Sequence, residues 1–110
     1  MGVALRQQIR QLAFTAAVAS DNTIIPGVAG KIITVIGLIL NGSAANTVIF
    51  KDGTGGTALS GALVVGVATM LVLPVDPTVD WYQSAVAGNN FVLTLSTTAA
   101  VTGTVWYVQN

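Results

Sequence analysis

"FVLTLSTTAAVTGTVWYVQN" (91–110) reads as two β-strands joined by a short turn. Successive side chains of a strand point to opposite faces. Phe91, Leu93 and Leu95 therefore share one face, with Val92, Thr94 and Ser96 on the other. In the second strand Val101, Gly103, Val105 and Tyr107 lie opposite Thr102, Thr104, Trp106 and Val108. One face of each strand is apolar and the other is only mildly polar. Back to Trp81 the chain carries no Asp, Glu, Lys or Arg.

The same pattern extends towards the N-terminus. β-prone runs near 12–18, 31–40, 46–51, 56–60 and 63–73 join those at 90–97 and 101–109, and a short extended piece is expected around 79–82. Turn chemistry separates them: "NGSAAN" (41–46), "KDGTGG" (51–56), "PVDP" (74–77) and "AGNN" (87–90). Gly and Asn supply positive φ at such points, and Pro74 and Pro77 cannot donate inside a sheet. Many short strands at this spacing predict an all-β fold, a sandwich or barrel. A chain of 110 residues fits one domain. We read 1–11 as an N-terminal arm, helical or extended, because Leu5, Ile9 and Leu12 fall at helical spacing, and 12–110 as a single antiparallel β-sandwich domain.

Charge is scarce. Arg6, Arg10, Lys31 and Lys51 balance Asp21, Asp52, Asp76 and Asp80, which is 7% of the residues. An average domain carries about 25%. A free monomer so neutral tends to associate. Run 31–40 sharpens the point. Strict alternation sets Ile33, Val35 and Ile39 against Ile32, Ile36, Leu38 and Leu40, so both faces look buried. An antiparallel sandwich strand ordinarily keeps one face wet. The second cover is expected from another copy of the chain, with Ile32, Ile36 and Leu38 as candidate interface residues.

The composition also excludes function classes. Nothing offers an electrostatic grip on nucleic acid or an anionic membrane, which takes a basic patch. Mean hydropathy is +0.76, yet the best apolar run, "ALVVGVATMLVLPV" (62–75), falls short of the about 20 residues of a spanning helix. Arg6, Arg10 and "LAFTAAVAS" imitate a signal peptide with a cleavage site at Ala17-Val18-Ala19, but Thr15 breaks its apolar part, so the segment is expected to stay. There is no Cys, no His and no Glu. That removes the thiol nucleophile, the usual general base and the better metal ligands, so neither an enzyme nor a bound cofactor or metal is expected. "KDGTGG" lacks the Gly-Lys-Ser/Thr ending of a phosphate loop and reads as a hairpin turn. Trp81 and Tyr82 follow the proline loop. They could stack on sugars, anchor a subunit contact or pack over an open end of the sandwich. Trp106 and Tyr107 sit on opposite faces of one strand, so one belongs to the core and the other faces outward or meets a second subunit.

The stretches "VIFKDGTGGTALSGAL" and "MLVLPVDPTVDWYQSAVAGNNFVLTLSTTAAVTGTVWYV" resemble small virion proteins of tailed phages, of the capsid decoration or cement type. The shared pattern is a strand ending in Lys-Asp-Gly, a "TALSG" hairpin and a proline-rich loop leading to Trp81. A Gly-Asn turn, Leu93, Leu95 and Ser96, and a last strand with Val101, Gly103 and Tyr107 complete it. The resemblance covers residues 31–110. It implies a jelly-roll-like sandwich and a homo-oligomer, typically a trimer, on the capsid surface of a virion assembled in the host cytoplasm. The major capsid protein would be its partner, and Arg6 and Arg10 would lie on the arm that touches it. It brings no catalytic residues. Alternatives are a fibre-tip module that binds a receptor or glycan, and a tail or neck subunit.

Overall fold

The structure, a computed structural model, describes residues 9–67 and 69–110. Among them every regular element is a strand: β1 (Arg10–Ala16), β2 (Asp21–Ile25), β3 (Ile33–Gly42), β4 (Asn46–Asp52), β5 (Thr57–Ala58), β6 (Leu63–Val65), β7 (Met70–Leu73), β8 (Tyr82–Gln83), β9 (Phe91–Leu95) and β10 (Val101–Gln109). No helix among the described residues is long and apolar enough to cross a membrane.

Two antiparallel sheets face each other. The first has the order β1-β10-β3-β7, with β8 also on β3; the second has the order β2-β9-β4-β5, with β6 also on β4. The pairing is nested: β1 with β10, β2 with β9, β3 with β7 and β8, β4 with β5 and β6. This wrap is the jelly roll. Its core lies between the sheets. Leu38, Leu40, Val101 and Val105 of the first sheet meet Val48, Phe50, Phe91 and Leu93 of the second, all essentially without solvent contact. Phe50 stands at the centre of an aromatic cluster, 4.9 Å from Tyr82 and 5.4 Å from Phe91 between ring centroids.

The faces read for 91–96 and 101–108 are those observed, with Phe91, Leu93, Leu95, Val101, Val105 and Tyr107 inside. Strand β3 differs. Trp106 lies opposite Gly37 but Tyr107 opposite Val35, so Ile36 is the extra residue of a β-bulge. The bulge reverses the alternation. Ile33 and Val35 therefore join Leu38 and Leu40 in the core, which corrects the sequence reading of that strand. Ile36 turns outward and is nevertheless buried. Its cover is the chain's own 74–80 loop, held by the Asp76 N–H donating to Ile36 O (3.0 Å). Gly37 makes this possible, since a Cβ there would lie 2.7 Å from Val75 Cα.

Three further differences have local causes. The stretch 63–73 is not one strand. It turns at Gly66, which bridges to Thr69, and passes from the second sheet to the first. Strand β2 was not anticipated because "DNTII" has no apolar alternation. A register shift between Thr23 and Ile25 lets both Ile24 and Ile25 bury. Finally, β1 starts at Arg10, paired with Tyr107, so residues 10 and 11 belong to the sheet and not to an arm. Residues 1–8, including Arg6 and the alternative of a helical arm around Leu5, lie outside the described residues.

Removing a large central side chain forfeits its transfer energy and leaves a cavity. Phe50→Ala is therefore expected to lower the unfolding free energy by about 3–5 kcal/mol, read from urea denaturation with an unchanged slope.

Candidate interaction surfaces

The outer face of the first sheet follows directly from its registers. Gln11, Trp106 and Gly37 form one row. Ala13, Thr104, Ile39 and Val72 form the next, and Thr15, Thr102, Asn41 and Met70 a third. No ionisable side chain stands in any of them. Trp106 lies on this face and its indole Nε1–H donates to Gln11 Oε1 (3.2 Å). The outer face of the second sheet is different. There Asp21 accepts from the Thr94 hydroxyl (2.6 Å) and from the Gly55 N–H (2.6 Å), and lies 3.5 Å from Lys51 Nζ. The Thr94 hydroxyl and then the Gly55 N–H hold the Asp21 carboxyl below its ordinary range; burial opposes them, and Lys51 adds a smaller lowering effect.

The wrap sorts the loops between two ends. One end gathers 26–32, 53–56 and 74–90. Here Gly53 and Gly55 take positive φ (89° and 66°) in the "KDGTGG" turn, as a hairpin requires. Asp52 is buried and accepts from the Ala85 N–H (2.9 Å) and Asn89 Nδ2 (3.2 Å), which fastens the long 84–90 loop to β4. Asp76 accepts from the Thr78 hydroxyl and N–H, which lower its pKa in that order. A hollow of about 160 Å³ lies beside this loop, lined by Ile9, Thr34, Ile36, Pro77, Asp80, Gln83, Val108 and Asn110. It is smaller than the roughly 300–1,000 Å³ of small-molecule sites.

The opposite end gathers 17–20, 43–45, 66–67 and 96–100. Two asparagines hold it. Asn46, buried, donates through Nδ2 to Thr97 O (3.2 Å) and Ala99 O (2.8 Å) and accepts from Ser96 and Thr97 N–H. Asn22 donates to Val18 O, Ser20 O and Leu93 O and accepts the Val18 N–H. Neutral amides thus do the work that charged caps do elsewhere, and these loops are fixed without any ion pair.

The residues expected at an interface separate on this frame. Leu38 and Tyr107 lie in the intersheet core and Ile36 lies under the 74–80 loop, so none of the three is free to meet another chain. Ile32 is half-buried and its backbone pairs with Asn110 at 2.8 and 3.1 Å. Tyr82 turns inward onto Phe50 and Phe91, and burial pushes its pKa up. Trp81 points outward, its Nε1–H donating to Pro74 O (3.0 Å). The two rings therefore form no common stacking platform. Arg10 is exposed at the start of β1, and Trp106 is half-exposed on the uncharged face. What sequence reasoning missed is Met70 and Val72. Read only as part of a single run, 63–73, they stand exposed on the edge strand β7. The alternation of "MLVL" was visible, but not which face had a sheet behind it.

Among the described residues no three His, Cys, Asp or Glu gather as a metal site, and every buried side-chain nitrogen or oxygen has a hydrogen-bond partner. No protein-family model matches the chain, and no curated protein matches it. Among solved structures it is similar to a chain from "Bacillus endospore appendages form a novel family of disulfide-linked pili". The TM-score is 0.47 at 20% identity, over 93% of this chain and 86% of that one.

Two predictions follow from these bonds. Asn46→Ala removes the side-chain bonds to five backbone groups, of which Thr97 N–H, Thr97 O and Ala99 O have no other partner among the described residues, and is expected to cost roughly 2–3 kcal/mol in urea denaturation. Asp21 has a lower pKa folded than unfolded, so its contribution is present above about pH 4 and is lost as pH falls further. Asp21→Asn is expected to lower stability at neutral pH and to flatten the acid limb of a stability profile followed by circular dichroism.

Proposed function

We propose that this protein is a non-enzymatic structural subunit that works as a homo-oligomer. On its sequence resemblance, we propose that it is a capsid decoration protein of a tailed phage. The observation that carries the reading is the outer face of the first sheet, three rows deep and without one ionisable group, ending in the exposed Met70 and Val72 of β7. Exposed apolar surface gains about 25 cal/mol for each Å² removed from water. Covering that face with neighbouring subunits stabilises an assembly and leaves the few charges in solvent. The role would be mechanical: subunits that bury area against one another and against a capsid bridge its capsomers.

The site chemistry supports this reading over a glycan-binding module, because Tyr82 is spent in the core and only Trp81 faces outward. Native mass spectrometry at micromolar concentration is expected to give a homo-oligomer, with a trimer as the resemblance implies; a persistent monomer would overturn the proposal. Co-sedimentation with phage heads then tests capsid binding. A Trp fluorescence response to host polysaccharide without affinity for heads would favour the glycan-binding module.

A further inference from the structure

The two edges of the first sheet are unlike. One edge is β1, whose side chains at the row ends of the uncharged face are Gln11, Ala13 and Thr15, with Arg10 exposed at its start. The other edge is the stretch 70–83, which runs beside β3. There β7 pairs with β3, Asp76 N–H donates to Ile36 O (3.0 Å), Trp81 N–H donates to Val35 O (2.9 Å), and β8 pairs last. Large apolar side chains line this edge. Met70 and Val72 end their rows, 55% and 51% exposed, and Val75, 46% exposed, lies against Gly37 at the end of the next, so the stripe is open to a partner. Trp81 continues it beside Pro74. The same edge carries two carboxylates, Asp76 and the exposed Asp80. The registers run Arg10, Tyr107, Val35, Tyr82 across the sheet, which sets Arg10 level with Tyr82, close in the chain to Asp80. Among the described residues neither Arg10 nor Asp80 meets an opposite charge within its own chain; the ion pair there is Asp21 with Lys51.

We infer that these two edges are the halves of one contact: the β1 edge of each copy seats against the 70–83 edge of the next. The inference rests on the homo-oligomer proposed above and names its contact surfaces. Charge, shape and strand direction together select a second copy, used head to tail. Residues 10–16 hold a cation and no anion, and residues 70–83 hold two anions and no cation. Each edge thus carries what the other lacks, whereas a two-fold contact would set like against like. Shape agrees with charge. Ala13 and Val72 end one row, Thr15 and Met70 another, so small side chains on one copy stand level with large ones on its neighbour. Rotation about an axis parallel to the strands keeps every group at its level, and Arg10 then comes level with the neighbour's carboxylates as well. Direction is the third match. Every pairing in the order β1-β10-β3-β7 is antiparallel, so β7 also runs opposite to the β1 of such a neighbour. Neither strand carries the Pro or Lys that commonly blocks an edge. Three copies turned about an axis on the uncharged side of the sheet face those surfaces to one another, which joins the edge contact to the covered face and to a trimer.

The test is sedimentation velocity on the wild type and on variants of both edges. Arg10→Glu and Asp80→Arg are each expected to raise the dissociation constant by about tenfold or more, because a ring repeats the reversed charge at every contact. The double variant R10E with D80R is expected to recover most of that loss. Val72→Lys, in the apolar stripe, is expected to weaken assembly to a similar degree. Val64→Lys, at a position 71% exposed on β6 of the second sheet, is the control and is expected to change nothing. Circular dichroism checks the fold of each; should V72K not fold, Val72→Ser takes its place, with weakening expected in the same direction. A monomeric wild type would sink both this inference and the homo-oligomer. An oligomeric wild type whose assembly survives R10E and V72K, or is not recovered by the double reversal, would overturn this contact alone and leave the homo-oligomer intact.

Discussion

Burial of apolar strand faces between the two sheets is the constraint on which the remaining structure depends. Its centre is Phe50, held between Tyr82 of the first sheet and Phe91 of its own. Around it the nested pairing brings Val101 and Val105 of β10 between β1 and β3, so a late segment of the chain closes on an early one. With no cysteine the chain has no disulfide, and among the described residues the single ion pair Asp21–Lys51 does not replace this packing. Polar groups serve it by fastening loops. Asn46 and Asn22 secure one end, Asp52 secures the other, and Asp21 ties the 53–56 turn to β2 and β9.

That division of labour explains why the surface is unusual. A protein that anchors its loops with amides needs no ionised groups there, and the surface above those anchors can stay neutral. The same economy leaves Val64, Val67, Met70 and Val72 uncovered within one chain. At Ile36 the molecule solves the problem internally by folding the 74–80 loop over it. On β7 it does not, because that strand sits at the sheet edge and, among the described residues, its outward Met70 and Val72 stay exposed. Self-covering is thus one answer to the desolvation problem, and the 74–80 loop supplies it at Ile36.

The alternation of 91–96 and 101–108 and the turn residues were legible in the residues themselves, since period-two patterning and turn chemistry are local properties. The sandwich class followed from them. The candidate interface was legible only in part: the scarcity of charge pointed to covered surface, but Ile36, Leu38 and Tyr107 proved to be covered from within. A single extra residue at Ile36 reverses every face beyond it, and such a bulge leaves no mark in the alternation. Nor could the run 63–73 show that it turns at Gly66 and changes sheets. Which loops share an end, and so where the charges gather, depends on how distant strands wrap. That was decided by the tertiary structure alone, because it is fixed by packing between segments that the sequence places far apart.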